Sequence, residues 1–574
     1  MRKIAIVGAG ESGVQLALGL QRHGFAPTLI SDRSPDQVRS GSVMSSQCVF
    51  SSALAAEKAV DISPITSADP TADELQISAI RMNLIRQTPI TWQAALDSPA
   101  RSLDQRVKCS LWIESFVEHG GNFLLEKVTV SRLEELVMSH DLVIVSTGKG
   151  ELGQIFAPDK MKSPYDKPQR ALGLTYVHGA QAGGVPAVRM SIKPGVGEFF
   201  TFPGVTVSGI CQMMVFEGIP GGPMDSWSRV DDPSSHLEHS LQLLRDHFPE
   251  EAAHFQHAVL TDEGGVLRGR ITPTVRHPVG IPPSGKEVLG LGDAIVLNDP
   301  LTGQGSNNAT LAAQYYEDAI VRRAQAPFDH RWMQRTFDEF WRGWAQWSVN
   351  WTNSLLRPLK DHQLRLLEAA QEHPGVAAAL ANGFDDPRTL FPWWYDAEEA
   401  AHFIDLKTAE ENSGIDVRGF RNALGQYATG VTVVTTMGRG GERVGITANS
   451  FTSVSVDPPL VLWCPSNQAP SLASFESATH FAINILAADQ LVLSRQFATA
   501  SADKFVGVTT HEGLRGIPVI DGTVATFECR TVSRYNGGDH RIYVGEVQRY
   551  ETTGGDPLVF HGGQYRATAA YPDL

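Results

Sequence analysis

Three glycines near the start of the chain, Gly8, Gly10 and Gly13, are spaced G-x-G-x-x-G between a short β-branched run, Lys3–Val7, and an apolar stretch of helical spacing, Val14–Leu20. Backbone without a Cβ can approach a pyrophosphate closely. The helix that follows offers unpaired N–H groups and a partial positive charge. Asp32 lies 22 residues beyond Gly10, at the expected tip of a second strand, where a carboxylate can accept from ribose hydroxyls. The pattern predicts a dinucleotide site without choosing between NAD and FAD; a tight strand-to-helix turn with no ligand is the plainer alternative. In the last third of the chain, Thr447-Ala448-Asn449-Ser450 continues to Ser453 and Ser455. Hydroxyls can donate and accept within one short loop, yet such a run is more often a solvated turn. His540, after Gly538-Asp539, is by default a surface histidine. No Ser-His-Asp, paired-carboxylate or G-x-S-x-G signature is present, which weakens a hydrolase reading. Five cysteines (Cys48, Cys109, Cys211, Cys464, Cys529) form no C-x-x-C pair and no metal-ligand spacing, so no metal is expected.

The elements that must position these residues follow from periodicity. A chain of 574 residues predicts about three or four structural domains. Hydrophobic residues at 42% and charged residues at 19% suit a folded globular protein, and a net charge of −15 argues against a nucleic-acid partner. No apolar run approaches the about 18 residues of a membrane span, and no signal peptide is read, so a reduced cytoplasmic protein is expected. Asp141–Ser146 reads as a further strand ending in Thr147-Gly148. Residues 170–280 alternate in short β-like runs broken by Gly and Pro, which predicts an inserted antiparallel sheet. From Ser306 the pattern is helical. Trp332, Trp341, Trp344, Trp347 and Trp351 recur near every three or four residues, better read as a packed helix face than as a ligand cage. Beyond Phe420 the composition turns to Thr, Val, Gly and Ser, and a β-rich domain begins.

Gly290-Leu291-Gly292-Asp293, followed by Asp299-Pro300-Leu301-Thr302-Gly303-Gln304-Gly305 and a helix, resembles the FAD-dependent aromatic-ring monooxygenases. The resemblance implies that Asp293 meets the ribityl chain and that the Pro300–Gly305 turn runs beneath the isoalloxazine. A helix N-terminus there would stabilise the negative charge of reduced flavin. It also implies that Arg106 faces the FAD pyrophosphate. More closely, residues 1 to about 400 resemble the styrene and indole monooxygenase family, through KIAIVGAGESG, ISDRSPDQ, STGKGELGQIF, SPYDKPQRAL and GLGDAIVLNDPLTGQGSNNA. Asp159 lacks a following Gly, so the Asp-Gly segment of many single-component relatives is not evident. That fits an oxygenase that receives reduced flavin. The resemblance implies a substrate pocket at Ser45, Gln47, Val49, Ile77, Ile80 and Ala100. Styrene-epoxidising relatives carry Asn, Val and His at the first three positions and Tyr, His and Ser at the others. Most of these changes resemble the indole-oxidising branch, although Val49 stands where that branch has Met. The replacements at 77, 80 and 100 make the pocket more apolar, and neutral drift of packing residues is the alternative.

Residues 420–570 resemble the short-chain flavin reductases of two-component monooxygenases, a split-barrel fold, through FRNALGQYATGVTVVTT, GITANSFTSVSVDPPLVLWC, FAINIL and GGDHRIYVGEV. In that family the Thr447, Ala448, Asn449, Ser450, Ser453 and Ser455 run lines the flavin, His540 faces the nicotinamide, and Lys504 helps to hold the flavin. The whole chain is therefore expected to hold an α/β, Rossmann-like FAD-binding domain with an inserted substrate sheet over about 165–285 and a helical part over 306–385. These form an oxygenase module over 1–408. A linker over 409–418 and a split-barrel reductase domain over 419–574 follow. NADH would reduce FAD (FMN remains open) in the second module. The first would form a flavin C4a-hydroperoxide that epoxidises styrene-like alkenes or indole, or oxidises aryl sulfides. Three alternatives stand beside this: internal electron transfer between two bound flavins, a reductase whose oxygenase module is weak, and a separate oxygenase partner. A homodimer through the reductase domain is expected, with no nucleic-acid or membrane partner.

Overall fold

The computed structural model describes residues 2–58, 76–148, 150–181, 183–412, 417–438, 440–467, 469–499 and 504–568. The chain divides into two compact units, Met1–Asn412 and Ser413–Leu574. Of the expected linker over 409–418, residues 413–416 lie outside the described residues. The helices Ala397–Asn412 and Val417–Gly425 flank them.

In the first unit, two strands are short and wholly apolar: Ile4–Val7 and Leu142–Val145 are buried at every position. Strands with no polar face must be covered on both sides, which is the situation of a parallel sheet. They sit at the centre of a sheet ordered Val279–Gly280, Val288–Gly290, Leu142–Val145, Ile4–Val7, Thr28–Ser31, Asn122–Leu125. All neighbours run parallel except the first pair. The helix Glu11–Arg22 covers this sheet and packs against the long helix Gln304–Arg323, so the two glycine-rich turns at their N-termini are brought together.

A second, eight-stranded sheet is antiparallel apart from one pair. It contains the expected strands between 170 and 271 but is not confined to the expected insertion. Ile77–Leu84 and Ile90–Ala100 extend it, the former running parallel to Ala187–Lys193. Ile90–Ala100 alternates buried and exposed along most of its length, as one solvated face requires. The helical part also runs further than 385, through Ala397–Asn412. Trp332, Trp344 and Trp351 are core residues, as their spacing suggested.

The second unit is built on seven antiparallel strands ordered Arg443–Ala448, Thr432–Met437, His480–Ile485, Ala525–Gly537, His540–Thr552, Pro459–Trp463, Thr452–Val456. The two edge strands are consecutive in sequence, separated only by Asn449, Ser450 and Phe451. Such a link reaches about 14 Å from Ala448 to Thr452. Seven flat strands would set the edges nearly 30 Å apart, at about 4.8 Å per gap. The sheet must therefore curl until its edges approach, and the Asn449–Phe451 link crosses the opening.

Candidate functional site

The first unit contains a cavity of about 1120 Å³. Its lining includes Gly8, Gly10, Glu11, Asp32, Thr147 and Gly148 from around the first glycine-rich turn, and Asp293, Asn298, Pro300, Gly303 and Gly305 from around the second. An apolar group, Phe50, Val188, Met190, Phe200, Phe202 and Phe384, lines it as well. Each glycine of the first motif has its own reason. A Cβ at Gly13 would stand 2.0 Å from the Gly8 carbonyl oxygen, so Gly13 lets the helix close on the strand. A Cβ at Gly10 would meet no protein atom within 4 Å, so the space above it is left for something else. Gly10 is the N-cap of Glu11–Arg22 and supplies no side-chain hydrogen bond to it. The second helix, Gln304–Arg323, is likewise uncapped by any side chain: its N-cap Gly303 is held at φ +66, which a residue with a Cβ adopts poorly. Two open helix N-termini in one cavity provide two places for negative charge. These are the needs of a pyrophosphate and of a reduced isoalloxazine, and the residues present fit FAD.

The electrostatics beneath the first turn are unusual. Lys108 is fully buried and is held between Glu11 and Glu57. Burial disfavours the ammonium, but the two carboxylates more than offset this and push it above its ordinary value. Gln105 Nε2 donates to Glu11 at 3.3 Å and Thr310 Oγ1 to Glu57 at 3.3 Å, which completes the cluster.

In the second unit, Thr447 Oγ1 donates to the Ser494 carbonyl at 2.6 Å. Ser450 Oγ accepts from the Cys464 N–H at 2.8 Å and donates to its carbonyl at 3.1 Å. Ser466, two residues on, bridges to His540. The hydroxyl run and the histidine are thus tied to one short stretch, Cys464–Ser466. Gly538 and Asp539 form the two-residue turn of a long hairpin, with Gly538 at φ +73. His540 Nδ1 pairs with Asp539 Oδ1 at 2.8 Å, which holds the Asp539 carboxyl below its ordinary range. Asn449 and Ser453 are exposed and Ser455 is half-buried on the adjoining strand. Lys504 Nζ donates to the Phe497 carbonyl at 2.8 Å beside the helix Leu491–Ala498 that Thr447 also contacts, and burial lowers its affinity for a proton.

Comparison with known proteins decides the family. The family model described as "Flavin reductase like domain" matches residues 424–569. An NADH-dependent FMN reductase of Agrobacterium fabrum is 50% identical over 152 residues, covering 26% of this chain and 86% of that protein. A flavin reductase of Pseudomonas putida is 40% identical over 159 residues, 28% of this chain and 94% of that protein. The chain belongs to the flavin reductase family. Its first unit is a StyA-like oxygenase region: the styrene monooxygenase StyA of Pseudomonas fluorescens is 28% identical over 395 residues, 67% of this chain and 93% of that protein. The family model described as "Styrene monooxygenase A putative substrate binding domain" matches residues 148–254. The chain is thus an oxygenase region fused to a flavin reductase.

Within the oxygenase region, Gly8, Gly10, Asp32, Asp293, Pro300, Gly303, Gly305 and Ser45 line the cavity. Gly13, Gly292 and Gln304 stand behind it; Gln304 donates to the Phe384 carbonyl at 2.8 Å. Arg106 departs from the expectation of a pyrophosphate contact. Its five N–H donors go to Asp104, Asp262 (2.7 and 3.0 Å), Thr206 and the Gly41 carbonyl. A guanidinium has five donors, so none is left for a phosphate. Arg276 was not foreseen: it lines the cavity, and its Nη1 donates to the Asp293 and Ala294 carbonyls at 3.3 Å each.

The expected substrate-pocket residues divide in the same way. Only Ser45 reaches the cavity. Ile77, Ile80 and Ala100 are fully buried in a core cluster that also holds Phe50, Met190, Phe200 and Phe202, and so form a layer behind its wall. Val49 packs in the neighbouring core, and Gln47 is buried with neither amide atom hydrogen-bonded. The wall itself, with Met190 paired to Phe200 across two strands, was missed. Alternation would have marked these residues as one face of a sheet, but not as the face turned to a ligand. Four of the five cysteines are buried and all are free. Among the described residues no cluster could hold a metal ion, and no helix is long and apolar enough to cross a membrane.

Proposed function

We propose that the chain is a self-sufficient flavin-dependent monooxygenase, in which the reductase unit uses NADH to reduce FAD and the oxygenase region oxygenates a small aromatic substrate. The observation that carries this reading is one cavity that joins glycine-rich turns at open helix N-termini, which suit FAD, to a group of apolar side chains. The parallel sheet is read as a Rossmann-like FAD-binding domain over an oxygenase module of 1–408. The curled sheet of 419–574 is read as a split-barrel reductase domain. Reduced FAD, when bound, supplies the oxygen activation. The N–H groups at the start of Glu11–Arg22, beside Gly10, would donate to its pyrophosphate, Asp32 would accept from its ribose and Asp293 from its ribityl chain. The Pro300–Gly305 turn would underlie the ring, with the helix N-terminus behind it favouring the anionic reduced form. Met190, Phe200, Phe202 and Phe384 keep water out and hold an apolar ring beside the flavin, which is what an alkene or sulfide oxygenation requires of a protein. Indole stands beside styrene as a substrate, Ile77, Ile80 and Ala100 acting only through the wall residues packed in front of them. In the reductase unit Thr447, Ala448, Asn449, Ser450, Ser453, Ser455 and Lys504 would hold flavin, FAD or FMN, and His540 would face the nicotinamide. A homodimer through this unit and a cytoplasmic location complete the reading. Fusion raises the effective concentration of the electron donor.

The test supplies the purified full-length chain with FAD, NADH and oxygen, and with styrene or indole separately, and follows NADH loss and oxygenated product together. Epoxide or indigo without added reductase supports the reading and ranks the substrates. NADH loss yielding only peroxide would leave a reductase and reject the oxygenase activity.

A further inference from the structure

Directly before the cavity-lining turn stands a buried charge cluster that the reading above does not use. Asp299 N-caps the turn Pro300–Thr302, its Oδ1 accepting from the Leu301 N–H at 3.3 Å. Glu217 lies on the strand Gly209–Gly218, where its cross-strand neighbours are Leu172 and Glu198. Glu217 is 0% and Asp299 1% exposed. The nearby cation, Arg170, donates to other groups: Nε and Nη2 to the two oxygens of Glu198 at 2.7 and 2.8 Å, and Nη1 to the Gln169 carbonyl at 2.9 Å. No donor reaches either carboxyl oxygen of Glu217 or Oδ2 of Asp299, yet the two carboxyl groups are within hydrogen-bonding reach of each other. Two buried carboxylates in contact with no donor between them repel strongly and lack all solvation. One proton placed between them removes the repulsion and gives both groups a hydrogen bond.

We propose that Glu217 and Asp299 hold a single proton between them, and that this acid–carboxylate pair positions the Pro300–Gly303 turn against the cavity. The directions agree with the geometry. Burial, with Asp299 and then Glu198 beside it, pushes Glu217 far above the usual carboxylate range, against a weaker pull from Arg170. Burial raises Asp299 too, but its bond to Glu217, Arg170 and the Leu301 N–H hold it down, so Glu217 carries the proton. A carboxyl whose folded value is raised stabilises the fold fully below its unfolded value, and that contribution is lost as pH rises toward the folded value. Loss of the proton then sets two charges behind Pro300, Leu301, Thr302 and Gly303, all of which line the cavity. Ligand affinity at that turn should fall with rising pH. This last consequence rests on the cavity being the FAD site; the shared proton does not.

The experiment compares the full-length wild type with Glu217→Gln, whose amide donates to Asp299 at every pH. Infrared spectra taken without flavin should show a protonated-carboxyl stretch in the wild type that is missing from Glu217→Gln. Oxidised FAD binding should weaken by up to about tenfold per pH unit on the alkaline side in the wild type and stay level in the variant. If Glu217→Gln does not fold, Asp299→Asn serves: a neutral amide replaces the carboxylate that the Glu217 acid bonds, so the same band should shift in frequency or vanish. Identical wild-type and variant infrared spectra overturn the shared proton. Parallel FAD profiles in the two proteins overturn the positioning role. Failure to bind FAD at any pH rejects both the positioning role and the flavin reading of the cavity, while the infrared comparison still decides the proton.

Discussion

In the oxygenase region the cavity is assembled from residues as far apart in sequence as Gly8 and Phe384, and it is underlain by buried ionic groups such as Lys108 with Glu11 and Glu57. In the reductase unit most candidate residues come from one run, Thr447–Ser455, and from His540 at one hairpin turn, and none is buried: Asn449 and Ser453 are exposed and the other candidates half-buried. The difference has an energetic meaning. A site set over buried charges depends on every partner being present, because removing one leaves another unsolvated. A site on the rim of a curled sheet loses only the contacts of the residue removed, so function and stability separate there.

The largest effect is expected at Lys108. Lys108→Met leaves Glu11 and Glu57 buried without a cation, and the oxygenase region should lose about 3–5 kcal/mol of stability. Urea unfolding measures this, and NADH-driven flavin reduction by the same chain should keep its wild-type rate. An unchanged unfolding midpoint would remove the contrast between the two units. Next comes acid sensitivity. His236 stacks on Trp227 with ring centroids 4.8 Å apart, and burial pulls its value from 6.5 down to about 4. The folded state takes up this proton later than the unfolded chain does. Stability should therefore fall as pH drops from 6.5 to about 4, by up to about 3 kcal/mol. His236→Phe keeps a ring against Trp227 and should flatten that limb of the melting profile; an unaltered limb would assign the acid sensitivity to other groups.

Two of the three glycines of the first motif sharpen the comparison further. Gly13→Ala drives a Cβ into the Gly8 carbonyl and should cost on the order of 1–3 kcal/mol. Gly10→Ala, whose Cβ enters open space, should leave the melting temperature nearly unchanged while FAD affinity falls about tenfold, read by fluorescence titration. Equal melting losses in the two would mean that the space above Gly10 is not kept for a ligand. The smallest effect is expected in the reductase unit, at the half-buried His540. His540→Ala should slow NADH oxidation about tenfold and change stability by no more than about 0.5 kcal/mol. A large loss of stability would show that this histidine is structural.

The parts of this protein that can be read without its structure are those in which residues adjacent in sequence act together. Gly8–Gly13, the Pro300–Gly305 turn and the Thr447–Ser455 run are local, since a turn or an open helix end needs only a few consecutive residues to form. The apolar runs Ile4–Val7 and Leu142–Val145 likewise disclose a sheet covered on both faces. What only the tertiary structure decided concerns partners far apart in the chain. Arg106 is of the right type and near the right place, but Asp104 and Asp262 take its donors, and Asp262 lies 156 residues away. Ile77, Ile80 and Ala100 are as apolar as expected, yet Met190, Phe200 and Phe202 stand in front of them. Glu217 and Asp299 interact although they lie 82 positions apart, on a strand of the second sheet and at the turn. Periodicity reports that a side chain faces inward. Which inward-facing side chains share a cavity or a proton depends on long-range packing, and no local pattern encodes it.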